Sequence, residues 1–336
     1  MGDVLLTLPV LRGILDSNPG HELVFVTRKK FIPYFAGIDR LILVSFDPEN
    51  QHKGLSGILR LFLELRRYGF RTLVDLHGNL RTSLIDGLFI LTGCRIYRVK
   101  KHRKLRRLII SRKLVGTSVP QATDRYLQVF EKAGVSGKII PEAVAVPDLR
   151  NQASDSDSGI LKIGIAPLSK HQTKNWGLDQ VKELISLLRM KYPVEIHLFG
   201  GPEDHDILDS LTAPRVINHA GTAPVAEELM LIRSIDVFIS MDSANMHLAS
   251  LAGVPTLSVW GPTDPSLGFA AVNQPAENSL FADPAVVTCR PCSVYGEIPC
   301  RRTDSPMICM KLIKPEMVLE KINQILAKSG RKFTGQ

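Results

Sequence analysis

Short apolar runs bounded by turn residues alternate along this chain with longer segments whose apolar positions recur every three or four residues. Runs at 22–27 (ELVFVT), 40–44 (RLILV) and 71–76 (RTLVDL) read as strands, and so do 162–166, 193–199 and a short piece at 218–220. The segment 4–15, apolar at positions 4, 5, 8, 11, 14 and 15, reads as a helix, as do 55–68 and 120–133. In the second half the helices are 178–190, 225–235 and 315–328, the last with Met317, Val318, Ile322 and Ile325 on one face. The densest stretch, 237–269, reads strand, short helix, strand, loop: 237–240 and 256–260 are β-branched runs, and Gly253 and Pro255 stop the helix between them. Strands alternating with helices predict an α/β protein with parallel sheets. The segment 151–159 (NQASDSDSG) has no apolar residue larger than Ala and reads as a linker. It divides the chain into a first domain at 1–150, a second at 160–314 and a terminal helix at 315–328.

Composition narrows the class. The 336 residues suit two domains, and 44% hydrophobic content describes a globular chain. No window approaches the roughly 18 apolar residues of a spanning helix. The N-terminus shows no basic region followed by an apolar core, so a cytoplasmic protein is expected. The net charge of +9 is concentrated, with ten Lys or Arg and no acid at 95–113. Such a run fits nucleic acid, an anionic membrane, an acidic substrate or a solvated face. No zinc-finger, RNP or helix-turn-helix pattern supports nucleic acid. Leu105, Leu108, Ile109 and Ile110 interrupt the charges in the manner of a basic interfacial helix.

Candidate chemistry gathers at the carboxyl ends of predicted strands, where α/β sheets bind ligands. Asp242 and Ser243 stand where a helix begins, offering free N–H groups and a positive dipole end, suited to phosphate. His247 lies on that helix's opening turn, and Gly261-Pro262-Thr263 closes the following strand. After the strand 162–166 come Ser169, Lys170, Thr173 and Lys174, hydroxyls and ammonium groups that suit a diphosphate; Trp176 follows. In the first half, Asp75, His77, Asn79, Arg81 and Ser83 follow a strand, either as a polar site or as a capped turn. Asp155-Ser-Asp157 spells a metal-binding D-x-D but sits in the linker and reads as solvated. Cys289, Cys292, Cys300 and Cys309 fit either a structural zinc or reduced thiols, and Cys94 reads as core.

The pattern D-S-x-x-x-H-L-A-x-x-x-G-x-P-x-x-x-x-W-G-P-T-D-P at 242–265 resembles the C-terminal signature of glycosyltransferase family 9, the ADP-heptose:lipopolysaccharide heptosyltransferases and their relatives. Ala244 stands where most members carry Gly. The resemblance covers nearly the whole chain and implies the GT-B architecture, two Rossmann-like domains whose parallel sheets face a central cleft. It also implies an inverting transfer of heptose from ADP-L-glycero-D-manno-heptose to the lipopolysaccharide inner core. The partner would be an anionic lipid-linked acceptor at the cytoplasmic face of the inner membrane, met by a monomer in peripheral contact. No metal and no cofactor beyond the nucleotide sugar is expected. By resemblance Asp3 is the catalytic base, and Lys174 steadies the departing ADP. Ser169, Lys170, Thr173, Asp242, Ser243, Ala244, His247, Gly261, Pro262 and Thr263 hold the nucleotide sugar, while Asn79 and Arg81 meet the acceptor. The family's first strand precedes Gly2-Asp3 and is absent here, so the first element is expected to be a helix from about Val4. A nucleotide-sugar epimerase and a non-catalytic nucleotide-sugar-binding protein remain as alternative functions.

Overall fold

The computed structural model describes residues 1–144 and 159–329. The linker reading, apart from Gly159, and the D-x-D at Asp155–Asp157 therefore lie outside the described residues. Among these residues the chain divides into two compact units, one formed by 3–103 and 120–144, the other by 104–119 and 159–329.

The first unit opens on helix, as expected, but in two pieces: α1 (Gly2–Leu5) and α2 (Leu8–Ser17). One continuous helix was expected; Pro9 explains the break, because it has no N–H to donate to the Leu5 carbonyl. The Thr7 hydroxyl instead donates to the Val4 carbonyl at 2.7 Å. Strand β1 (Leu23–Arg28) pairs in parallel with β2 (Leu41–Phe46), and β3 (Thr72–Asp75) with β4 (Arg95–Arg98). The two pairs are separate sheets with no strand joining them among the described residues. Helices α3 (Gly54–Arg66) and α4 (Leu80–Ile90) cover them. Their shared core is Ile58, Leu61, Phe62 and Leu65 of α3 against Ile85 and Phe89 of α4.

Residues 95–113 do not form one interfacial helix. After β4, α5 (Arg103–Ile110) runs into the second unit, where Ile109 packs with Val119 and Leu267. Arg106 is buried; its Nε donates to the Leu267 carbonyl at 3.1 Å and its guanidinium lies 4.5 Å from the Phe269 ring centre. A buried aliphatic stem, with Nε hydrogen-bonded and the guanidinium laid against an aromatic ring, explains how so basic a helix docks. The chain then returns to the first unit with α6 (Ala122–Lys132).

The second unit is a six-stranded parallel sheet. Its strands are β5 (Leu161–Ala166), β6 (Val194–Leu198), β7 (Val216–Asn218), β8 (Val237–Met241), β9 (Thr256–Trp260) and β10 (Ser279–Phe281), in the order β10-β9-β8-β5-β6-β7. Its helices are α7 (Leu178–Lys191), α8 (His205–Asp209), α9 (Val225–Arg233), α10 (Ala244–Leu251), α11 (Ile308–Lys311) and α12 (Pro315–Ser329). Alternate residues of the central strands, such as Ile163, Ile196, Ile239 and Leu257, form one apolar layer with Leu184 and Leu188 of α7 and Val318 and Ile322 of α12. Met317 is not in that layer: it is 36% exposed, and its sulfur accepts from the Lys314 N–H. β7 ends at Asn218, two residues earlier than the sequence suggests, because Asn218 Oδ1 accepts from the Ala220 N–H and starts a turn. β10 was not visible as a strand: three residues carry no readable period.

On the opposite layer of the sheet, Gly164 meets the Phe238 ring with no room to spare, since a Cβ there would lie 2.5 Å from Phe238 Cδ2. Gly164→Ala is expected to fold but to lose about 1–3 kcal/mol, the usual cost of overpacking a filled core. A urea midpoint equal to that of the parent chain would show that Phe238 has room to move.

Candidate active site

Strands β9, β8 and β5 are neighbours and parallel, so the loops that leave their carboxyl ends emerge side by side. The β5 loop carries Ser169, Lys170, Thr173 and Lys174. The β8 loop carries Asp242 and Ser243, and the β9 loop Gly261, Pro262 and Thr263. The structure thus brings the predicted nucleotide-sugar residues into the three adjacent loops of one unit. Within the β5 loop, the Ser169 hydroxyl donates to the His171 carbonyl at 2.9 Å, and the Ser169 N–H donates to Asn175 Oδ1 at 2.7 Å. Thr173 Oγ1 donates to the Gly296 carbonyl at 2.5 Å. Both hydroxyl protons are therefore spent on shaping the loop, and the cations Lys170 and Lys174 remain to face a ligand.

Lys174 Nζ stands 3.3 Å from Asp242 Oδ2, and the two side chains are only 11% and 12% exposed. A carboxylate so placed aims the ammonium group without consuming all three of its donors. Ser243 occupies the N-cap position of α10, yet its side chain makes no capping hydrogen bond. Its hydroxyl lies 3.1 Å from Ser240 Oγ instead. Asp242, the other candidate cap, is turned to Lys174. Among the described residues the first amides of α10 therefore have no side-chain cap, an arrangement that favours an anion at the helix terminus. His247 is buried, and burial first, with Lys174 second, pulls its pKa down to about 3. The ring is neutral at physiological pH, and its Nδ1 is buried with no hydrogen-bond partner among the described residues. It adds no charge to the anion site but keeps an unused polar atom beside it.

The β9 loop is held by a residue that no motif or spacing marks. Arg290 is almost fully buried; its Nε donates to the Gly261 carbonyl at 3.3 Å and its Nη2 to the Thr263 carbonyl at 3.2 Å. The same Nη2 pairs with Asp264 Oδ2 at 3.0 Å, and the guanidinium lies 4.3 Å from the Phe281 ring centre. A lone Arg between Cys289 and Cys292 has no spacing signal that could have marked it. Gly261 is fixed by space: a Cβ there would lie 2.2 Å from Met310 Sδ. The Pro262 carbonyl accepts from the Cys292 and Ser293 N–H groups, and Thr263 Oγ1 is buried with no partner among the described residues. Cys289, Cys292, Cys300 and Cys309 line one hollow behind this loop, together with Pro262 and Thr173. All four are free thiols, and burial raises the pKa of Cys309 to about 11. Among the described residues no three His, Cys, Asp or Glu side chains are grouped to hold a metal.

The remaining candidates belong to the first unit. Asp3 lies in α1, exposed, and its carboxylate makes no hydrogen bond or ion pair among the described residues. Asn79 caps α4: its Oδ1 accepts from the Thr82 N–H at 2.9 Å while Thr82 Oγ1 accepts from the Asn79 N–H. Thr82 Oγ1 also donates to Asp75 Oδ2 at 2.8 Å, and Asp75 Oδ1 accepts from the His77 and Gly78 amides. The capped-turn reading thus describes Asp75 and the Asn79 oxygen. Arg81 is exposed and lies 5.3 Å from the Phe46 ring centre.

Comparison with known proteins fits this geometry. The family model for glycosyltransferase family 9 (heptosyltransferase) matches residues 58–288. The chain is similar to the lipopolysaccharide core heptosyltransferase OpsX of Haemophilus influenzae, 23% identical over 274 residues that cover 79% of this chain and 77% of that protein. It is also 22% identical to the lipopolysaccharide heptosyltransferase 3 of Escherichia coli, over 78% of this chain and 81% of the relative. Among solved structures, a glycosyl transferase family 9 protein of Veillonella parvula superposes with a TM-score of 0.70 at 19% identity, covering 98% and 95% of the two chains. Escherichia coli heptosyltransferase WaaC, solved with ADP, gives 0.65 at 18% identity, covering 97% of each. The structural likeness shows a shared fold, GT-B, and the sequence match settles the family: the chain belongs to glycosyltransferase family 9 and is a glycosyltransferase.

Proposed function

We propose that this glycosyltransferase moves heptose from ADP-L-glycero-D-manno-heptose to the inner core of lipopolysaccharide, working at the cytoplasmic face of the inner membrane. The observation that carries the reading is the Lys174–Asp242 pair beside the uncapped start of α10, a cationic and dipolar seat for a diphosphate. The relatives named above are lipopolysaccharide heptosyltransferases, which supports heptose as the sugar and lipopolysaccharide as the class of acceptor.

In this mechanism Asp3 takes the proton from the acceptor hydroxyl as that oxygen attacks the anomeric carbon. The bond to the ADP oxygen breaks in the same displacement, so the configuration inverts through an oxocarbenium-like state. Charge growing on the departing diphosphate is met by the Lys174 ammonium and by the α10 amides, fixed before reaction by the fold. Lys170 adds a second cation from the exposed side of the same loop. His247 is neutral, so it serves by hydrogen bonding and not by charge. Asn79 and Arg81 are assigned to the acceptor, through the Asn79 side-chain amide and the Arg81 guanidinium. The reading gives the leaving group to protein cations and amides and assigns it no metal.

The direct test incubates the chain with ADP-heptose and heptose-deficient lipopolysaccharide and weighs the product. One heptose added to the acceptor supports the proposal. A changed sugar nucleotide without acceptor points to an epimerase, and no turnover with any donor to a binding protein.

Two substitutions separate binding from chemistry. Lys174→Ala is expected to weaken ADP binding by about 1.5–3 kcal/mol, the worth of a hydrogen bond to a charged group. Unaltered ADP affinity by calorimetry would remove Lys174 from the seat. Asp3→Asn is expected to bind ADP as before while transfer falls ~10²–10⁴-fold, the usual share of a general base. A variant that keeps half its rate would exclude Asp3 from proton transfer.

The buried His247 also sets a pH dependence. Its folded pKa, about 3, lies below the ordinary 6.5, so the unfolded chain binds the proton more readily. Stability from this group is intact above about pH 6.5 and is lost as pH falls toward 3. In His247→Gln the acid limb of the stability curve, measured by urea denaturation across that range, should be shallower by up to one proton. Parallel limbs in the two proteins would show that the ring is not held neutral.

A further inference from the structure

The first unit leaves an unusual amount of leucine in water. On α3, Leu55, Leu59 and Leu63 recur every four residues on the side away from the core and are 75%, 50% and 51% exposed. On α4, Leu80, Leu84 and Leu91, which directly follows the helix, do the same at 81%, 41% and 85%. The two helices pack on each other through their opposite, buried sides, where the Phe62 and Phe89 rings meet at 4.9 Å. Exposed leucines scattered singly need no explanation; two stripes at helical spacing on adjacent helices do.

Charge in the same region is mostly positive. Residues 51–103 hold eleven Lys or Arg and three Asp or Glu, a balance of 11 − 3 = +8 within a chain of net +9. Two of the three acids are turned away from the surface. Asp75 and Asp86 are buried, the latter paired with Arg98, while Glu64 faces His52 at 3.3 Å. Arg60, Arg66, Arg67 and Arg81 stand exposed on or beside the leucine stripes.

We infer that the exposed faces of α3 and α4 form a membrane-docking surface, which sets Leu55, Leu59, Leu63, Leu80, Leu84 and Leu91 into the interfacial layer of an anionic bilayer while the flanking arginines bind lipid phosphates. Apolar side chains on one face, ringed by cations, match the two forces that hold a protein on such a bilayer. The other basic element, α5, has already used its apolar side on the second unit, with Leu105, Ile109 and Ile110 packed toward Val119 and Leu267. Asn79 and Arg81, assigned to the acceptor, cap and open the helix that carries the second stripe, so docking through α4 brings that turn to the layer where a lipid-linked acceptor lies. The adsorption stands apart from the transfer reading, because it is measured without substrate or turnover.

The test is flotation of the full chain with vesicles of phosphatidylethanolamine and phosphatidylglycerol, and with vesicles of phosphatidylcholine alone. The parent chain is expected to float with the anionic vesicles and to stay behind with the neutral ones. The triple variant Leu59→Gln, Leu84→Gln, Leu91→Gln should lose at least about tenfold in partitioning, since it removes three apolar insertions. Its melting temperature should not fall, because the three leucines already contact water. Arg60→Gln with Arg66→Gln and Arg67→Gln should reduce binding in a way that added salt reproduces in the parent. Equal flotation of the leucine variant and the parent overturns the proposal, as does equal binding of the parent to neutral and anionic vesicles. So does a dimer, seen by sedimentation, that the leucine variant dissolves while its flotation is unchanged; the surface would then belong to a second copy of the chain.

Discussion

The side-by-side parallel pairing of β5, β8 and β9 is the constraint on which the candidate site depends. Ala166 is level with Ser240, and Ser240 with Ser258, so the three strands deliver their next residues to one edge in step. Lys174 and Asp242, 68 residues apart in the chain, come within 3.3 Å only because those strands are neighbours. The pleat decides which side chains reach that edge. A shift of one residue in β8 would send Asp242 to the other face of the sheet. The apolar layer of Ile163, Ile239 and Leu257 opposes such a slip, because it would place Ser240 and the bulky Phe238 ring under α7 and α12.

Hydrogen bonds inside the loops do a different job from the one their residue types suggest. Ser169 and Thr173 look like phosphate donors, yet their protons go to the carbonyls of His171 and Gly296. Ser243 looks like a helix cap, yet the cap is left open. Fixing the loops with hydroxyls frees the ammonium and amide groups, which are stronger partners for a diphosphate. Arg290 extends the same logic to the β9 loop, where one buried guanidinium gathers two carbonyls and a carboxylate.

Most of the second unit could be read from its residues. The 237–260 stretch shows its strands and helix because each run is fully buried and ends at Gly, Pro or a polar pair. The Lys174 loop is visible for a similar reason, as cations and hydroxyls following a strand. What could not be read depends on contacts between distant segments. Arg290 carries no periodic or spacing signal, and the destination of the basic run was open because a charged helix with Leu105 and Ile109 fits a membrane or another helix equally. Pro9 was legible but was outweighed by the apolar period around it. The leucines of α3 and α4 show the opposite problem: period reveals that a helix is amphipathic, but exposure on its outer side appears only when its neighbours are in place.

The docking of α5 also has a consequence for the order in which the chain is made. Residues 104–119 leave the ribosome about 150 residues before Leu267 and Phe269, the partners that bury Arg106 and Ile109. Domains fold from the N-terminal end during synthesis. The first unit can complete α6 and close while the segment between its two parts is still without a home. During that interval a strongly basic helix exposes its apolar side beside a nascent domain, open to chaperones and proteases, and cleavage of stalled chains near residue 110 would record it. Protection of that segment then begins late, when the β9 loop is synthesised, and not when its own helix forms.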